Sequence, residues 1–356
     1  MTRLQLQLRD AAEREAQRGP LGRAARDALR SPALAGAVAA LALVLAVGAG
    51  ALLLRDDTTP AGPAVVAQVE FTGNPEQLIA AFGSVWIADP VAGEIVRVDS
   101  ERRAVTARIA VGSALGLAME PVGGELWAIG ADETRLLRID PATDRVTDRV
   151  PLRTPDGRSF PAFQVLASDR AVWAVSGEGA LRLDPQTGAG LQLVAAPSGG
   201  HEPRWITLGE DVLWVYGTDG TIRRFDPVTG AARGRIRPQL PGTEGFDDLD
   251  GDLMAFDAGG RYGRMDGSTG AVRWQRAVGD RIHSGNHGSG LVWLHVTRAG
   301  DGDRLVALDP RDGAVVSSTS MPGFGSTALA VVGDEVWLNE PGGDTIIVRR
   351  GAQPTR

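Results

Sequence analysis

The chain of 356 residues contains no cysteine, so neither a disulfide framework nor thiolate metal ligation is available to it. Lysine is missing as well, and every basic side chain is Arg. That uniformity reads as a genome-wide codon bias and carries no functional meaning. Aromatic residues make up only 5% of the sequence, yet eight of them are Trp. Histidine occurs four times, at 201, 283, 287 and 295. No Gly-x-Ser-x-Gly elbow and no Ser-His-Asp ordering is present, which leaves nucleophilic hydrolysis without support.

Charge is unevenly placed. Residues 1–32 carry seven Arg against four acids, and Ala33 to Leu54 then run without a charge, almost entirely as Ala, Leu, Val and Gly. A helix over that run would span roughly 33 Å at about 1.5 Å per residue, enough to cross a bilayer core. The Arg excess before it predicts a cytoplasmic leader, 1–32, a single transmembrane helix, 33–54, and an exported remainder. A cleaved signal peptide is the competing reading; the length of the leader and of the apolar run favours an uncleaved anchor. Residues 55–63 form a linker containing Thr-Thr-Pro-Ala-Gly-Pro. Beyond Arg55 the chain holds 29 Arg and 40 acidic residues. That balance disfavours phosphate backbones, so nucleic acid is not an expected partner.

What dominates the remainder is repetition. Trp86, Trp127, Trp173, Trp214, Met254, Trp293 and Trp337 recur on short apolar strands at intervals of 39 to 46 residues. Each of the first six is followed by an Asp opening a turn: Asp99, Asp140, Asp184, Asp226, Asp266 and Asp309. This is the period of a four-stranded propeller blade. The turns read Asp184-Pro-Gln-Thr-Gly188 and Asp226-Pro-Val-Thr-Gly230, with near-copies at Asp266 and Asp309. In such a turn Asp caps, Pro presets φ and Gly takes positive φ. Recurrence at every turn makes these carboxylates structural. The seventh repeat stops without an outer strand, while Ala64 to Phe71 precede the first Trp without a blade of their own. The sequence therefore predicts an all-β, seven-bladed β-propeller over 64–350, closed by an N-terminal strand and preceded by one transmembrane α-helix, with a tail at 351–356.

Gly83-Ser-Val-Trp-Ile-Ala88, Asp211-Val-Leu-Trp214-Val and the Asp-Pro-x-Thr-Gly turns resemble the surface-layer-type and lactonase-like seven-bladed propellers. That group includes periplasmic binding propellers and the virginiamycin B lyase family. Asp266-x-x-Thr269-Gly270-x-x-x-Trp274 is similar to the tryptophan-docking motif of quinoprotein-like propellers. It occurs once, in a chain without the paired Cys of the quinone-dependent dehydrogenases. It reads as blade packing, and no cofactor is expected from it.

The segments leading into the inner strands of three consecutive blades are polar. Blade four has His201, Glu202 and Arg204; blade five has Glu244, Asp247 and Asp248; blade six has His283, Asn286 and His287. Imidazoles with carboxylates at a channel mouth are the chemistry of a small-ligand or divalent-metal site, with His283 and His287 as metal candidates. The alternative is a hydrated funnel whose polar lining holds water. His295, inside Val292-Trp-Leu-His-Val296, reads as packed structure, and Asp301-Gly-Asp303 as a polar loop tip. The leading expectation is a membrane-anchored extracytoplasmic module that binds a small molecule or a cell-envelope protein without catalysis. The alternative is a metal-assisted lyase or lactonase-type enzyme working at the mouth of blades four to six. The lyase resemblance implies a Glu-x-His element that this chain lacks, since His201-Glu202 has the reverse order.

Overall fold

A computed structural model describes residues 64–350, apart from 113–117, 131, 196–202, 322–327 and 340–344. The leader, the apolar run 33–54, the linker and the tail lie outside the described residues. Among the described residues every regular element is a β-strand, and no helix is long and apolar enough to cross a membrane.

The strands form seven four-stranded antiparallel sheets. Six of the sheets use consecutive strands. The seventh pairs Leu329–Val332, Glu335–Asn339 and Thr345–Arg350 with Ala64–Glu70, which is the outermost strand. Its register runs from Ala64 opposite Arg350 to Glu70 opposite Thr345. The ring is closed by this pairing, and the edge of the last blade is covered by the first strand of the domain.

Each hairpin between third and fourth strands is built by its Asp. In the blade-three turn the Asp184 carboxylate accepts the N–H groups of Gln186 and Thr187, both at 2.8 Å. Asp226 does the same with Val228 and Thr229, whose backbone N–H groups hold its carboxyl down at about 2. Gly313 ends the blade-six turn at φ +72°, and a Cβ there would lie 2.4 Å from the Trp274 ring. The glycine serves both the turn and the indole lying against it.

The buried apolar residues form seven clusters, and each one joins two neighbouring blades. Six of them centre on a second-strand Trp that is at most 1% exposed. The exception is the junction of blades five and six, where Met254 is buried instead. There Trp274 arrives from the outer strand of blade five and donates Nε1–H to the Pro310 carbonyl at 3.0 Å, in the blade-six turn. The single quinoprotein-like motif thus supplies the indole that Met254 does not.

Directly across from the Trp or Met, on the third strand, five consecutive blades carry an Arg: Arg97, Arg138, Arg182, Arg224 and Arg264. Four of these donate to a carbonyl in the next blade's Asp turn. Arg97 reaches Pro141 at 2.5 Å, Arg138 reaches Gln186, Arg224 reaches Gly267 at 3.2 Å, and Arg264 reaches Pro310 at 3.3 Å. The Arg97 and Arg138 guanidinium groups also lie over the indoles of Trp86 and Trp127, at 5.1 and 5.4 Å. At the closing junction the arrangement changes: Arg103 of blade one pairs with Glu335 of blade seven at 2.6 Å.

These contacts give a stability prediction. Arg97 also bonds the buried Ser84 and the partly exposed Asp144, so Arg97→Met should cost about 1–2 kcal/mol by removing three inter-strand and inter-blade hydrogen bonds and leaving Ser84 without its partner. Arg102→Ala, on a side chain 79% exposed, should stay within about 0.5 kcal/mol. Urea unfolding of the two variants side by side checks the contrast.

Candidate functional site

The inner strands, which ring the channel, are Gln77–Ala81, Met119–Val122, Gln164–Ala167, Trp205–Leu208, Thr243–Leu249, Arg281–Gly288 and Leu329–Val332. Strand register sorts their residues into levels. Opposite the Trp or Met of the second strand stand Ile79, Glu120, Leu166, Thr207, Asp247, Asn286 and Ala330. One residue further along lie Asp248 and His287, among apolar neighbours in the other blades. The level nearer the start of each inner strand holds Glu244 and His283, and forms one mouth of the channel.

The candidate residues therefore do not converge on a single point. His201 and Glu202 lie outside the described residues. Arg204 is exposed at the mouth, with its guanidinium 5.4 Å from the Tyr216 ring. Glu244 is half-buried at the start of the blade-five inner strand. Asp248 is a strut: it accepts Trp214 Nε1–H at 2.9 Å and so ties blade five to blade four. Asn286 donates to the Leu329 carbonyl at 3.0 Å and ties blade six to blade seven. Both side chains are committed to holding blades together.

Asp247 and His287 are electrostatic neighbours on the inner strands of blades five and six. Burial holds the His287 imidazole below its ordinary value, against the pull of Asp247. The Asp247 side chain is exposed, but the surrounding walls push its carboxyl upward while His287 opposes. His287 Nε2 is 3.2 Å from the hydroxyl of Tyr262, which reaches in from the third strand of blade five. Burial, with Asp247 adding to it, raises that phenol well above the usual range. Tyr262 thus stays protonated and holds the imidazole in place.

His283 belongs to a different group. Along a strand, residues four apart are separated by about 13 Å, so His283 and His287 cannot share one ion. His283 instead stacks on His295, with ring centroids 4.7 Å apart and planes 27° from parallel. Its Nε2 is 2.6 Å from Thr297 Oγ1, and that hydroxyl donates to Asp303 at 2.5 Å. Since the one hydroxyl proton goes to Asp303, His283 Nε2–H is the donor to Thr297. Burial lowers His283, with Arg281 adding to the effect. It holds the fully buried His295 down to about 4, with His283 adding and Asp303 opposing. Both imidazoles are therefore neutral near pH 7. Asp303 is not in a loop tip but on the third strand of blade six, opposite Thr297.

Two further features escaped the sequence reading. Glu120 shares the Asp247 level from across the ring, and burial raises its carboxyl to about 8. Its sequence signal was a carboxylate in Met119-Glu-Pro-Val122, where neighbouring inner strands are apolar. The second is an aromatic group at the mouth. Trp205 and Phe256 meet edge to face at 5.7 Å, packed over Gly245, where a Cβ would lie within 2.9 Å of both rings. Phe163, 45% exposed, leads into the blade-three inner strand at the same end. These aromatics are far apart in sequence, and only the common direction of the inner strands brings them to one face.

Residues 218–352 match the family model described as outer membrane protein assembly factor BamB. Two solved structures share the fold. The computationally designed Ika8 protein aligns with a TM-score of 0.56 and 14% identity, over 80% of this chain and 99% of that one. BamB from Moraxella catarrhalis aligns with a TM-score of 0.52 and 15% identity, over 79% of this chain and 85% of that one. No curated protein sequence matches. The seven blades and the matched stretch, which contains the Asp266-to-Trp274 motif, fit the quinoprotein-like propellers.

The shifted groups predict two pH dependences of opposite sign. Glu120 has a folded pKa of about 8 against 4.5 in the open chain, so the folded state binds the extra proton between these values and stability falls as pH rises. Glu120→Gln should therefore gain on the unmodified protein from pH 4.5 to 8, by about 1–2 kcal/mol once channel water is allowed for. His295 is depressed from 6.5 to about 4, so the unfolded chain binds the extra proton in that window. Its contribution, up to about 3 kcal/mol, is lost as pH falls from 6.5 to 4 and should be absent in His295→Asn. Denaturant midpoints measured across pH for the three proteins resolve both effects.

Proposed function

We propose that this chain is a membrane-anchored, extracytoplasmic propeller that binds protein partners of the cell envelope through its channel mouth, without chemistry of its own. The observation that carries the reading is the side-chain set at that mouth. Exposed Phe163 and Arg204, beside the half-buried rings of Trp205 and Phe256, make the combination of aromatic anchors and guanidinium on which protein interfaces concentrate binding energy. Polar groups deeper in the channel are engaged with their neighbours: Asp248 with Trp214, Asn286 with Leu329, and His287 with Tyr262.

Two further lines support it. The similarity of residues 218–352 to an outer membrane assembly factor favours a protein partner in the envelope over a small metabolite. The uncharged run 33–54, preceded by seven Arg, favours a single-pass anchor with the leader in the cytoplasm and the propeller outside.

Site-specific photocrosslinking in intact cells tests the binding face. A crosslinker at Phe163 or Arg204 should trap one discrete envelope protein, whereas one at Val66 or Val315, exposed on outer strands, should not. Phe163→Ala with Arg204→Ala should cut the adduct formed from a third mouth position, Glu244, at least tenfold. Adducts arising equally from the outer strands would overturn the reading. The anchor is checked separately: protease added to spheroplasts should digest the propeller and spare the leader, and deletion of 33–54 should release the protein from membranes.

A further inference from the structure

We propose that blade six holds a divalent transition-metal ion between His283, His295 and Asp303, at the mouth end of its first three strands. Strand geometry puts the three side chains on one face of the sheet. The inner strand is bulged between Ile282, opposite Val296, and Ser284, opposite His295. The extra residue is His283. In an unbroken strand it would alternate to the other face, but a bulge sets two residues against one and turns it alongside His295. His295 and Thr297 are two apart on the second strand and share a face. Asp303, directly opposite Thr297, completes the group from the third strand.

The distances suit an ion. The three donor atoms all lie within 4.8 Å of one another, and His295 Nε2 is 3.9 Å from Asp303 Oδ1. Donors about 2.0–2.1 Å from a zinc-sized ion stand roughly 3.4 Å apart at a tetrahedral angle and about 4.1 Å apart when opposed. Closing the group onto an ion therefore takes side-chain movements of about an ångström, with no rearrangement of strands. The ion would take up the place of the Thr297 hydroxyl, which now links His283 to Asp303.

The donor set selects the metal class. Two imidazoles and one carboxylate suit zinc and its first-row neighbours, whereas calcium and magnesium prefer oxygen donors alone. Three protein donors leave at least one coordination position. Water or an incoming carboxylate would complete the shell, since His283 and Asp303 are both partly exposed. The inference is independent of whether the mouth binds a protein, and of the anchor.

The test uses the full-length protein, purified in detergent without a polyhistidine tag and stripped with a chelator. Zinc is then titrated by calorimetry and in competition with a chromogenic chelator. One ion per chain should bind with micromolar or tighter affinity, and cobalt should give a visible ligand-field spectrum in the same protein. His283→Gln and Asp303→Asn, both at partly exposed positions, should each weaken zinc at least tenfold while leaving the metal-free thermal midpoint near that of the unmodified protein. His287→Gln, four residues along the same strand, should leave zinc affinity unchanged. Absence of saturable zinc binding overturns the proposal. So does binding that survives both His283→Gln and Asp303→Asn, or that is lost equally in His287→Gln.

Discussion

A blade of this protein is a sheet buried on both faces, and neither face finds its partner within the blade. The architecture follows from that constraint. The apolar core is divided into seven slabs, one between each pair of neighbours, and no blade can bury its surface until the next is in place. The second-strand Trp is the largest piece of each slab but one. At the exception, Trp274 enters from the outer strand and restores the volume that Met254 lacks. The strand Ala64–Glu70 matters for the same reason: the last sheet is completed from the other end of the domain, which turns a row of stacked sheets into a ring.

Polar chemistry is used in the same service. The Asp of each turn gathers backbone N–H groups, and in four blades an Arg from the preceding sheet donates to a carbonyl of that turn. A guanidinium suits this position because it can lie flat against an indole and still donate sideways. The turn is thereby rigid in itself and fastened to its neighbour. The carboxylates that repeat most conspicuously along the chain are consequently those least available for other chemistry. Functional groups are to be sought where the repeat is broken: at the mouth of blades three to five, where Phe163, Arg204, Trp205 and Phe256 stand, and in the polar residues of blades two, five and six.

The repeat was legible because each blade must solve the same packing problem with the same residue types. Trp spacing, Asp turns and the unpaired first strand all express a local pattern of alternation and turn chemistry. The site was legible only in part. Polar residues on the inner strands stood out at Asp247, His283 and His287, but their grouping did not. His283 and His287, close in sequence, are separated by the extension of the strand, while His283 and His295 are joined by a bulge that no sequence pattern announced. Glu120 shares a level of the channel with Asp247 at a separation of more than a hundred residues, and Tyr262 reaches His287 across a blade boundary.

Sequence alone determined the number of blades, the four-strand grammar, the turn chemistry and the place where the ring closes. These depend on contacts between residues near in the chain or repeated at a constant interval. Tertiary structure decided which side chains meet. It placed His295 and Asp303 with His283, made Asp248 and Asn286 struts, and gathered Phe163, Trp205 and Phe256 at one mouth. The reason is geometric. A propeller brings seven distant segments around one axis, so the neighbours of an inner-strand residue are set by register and blade order, which short-range patterns do not encode.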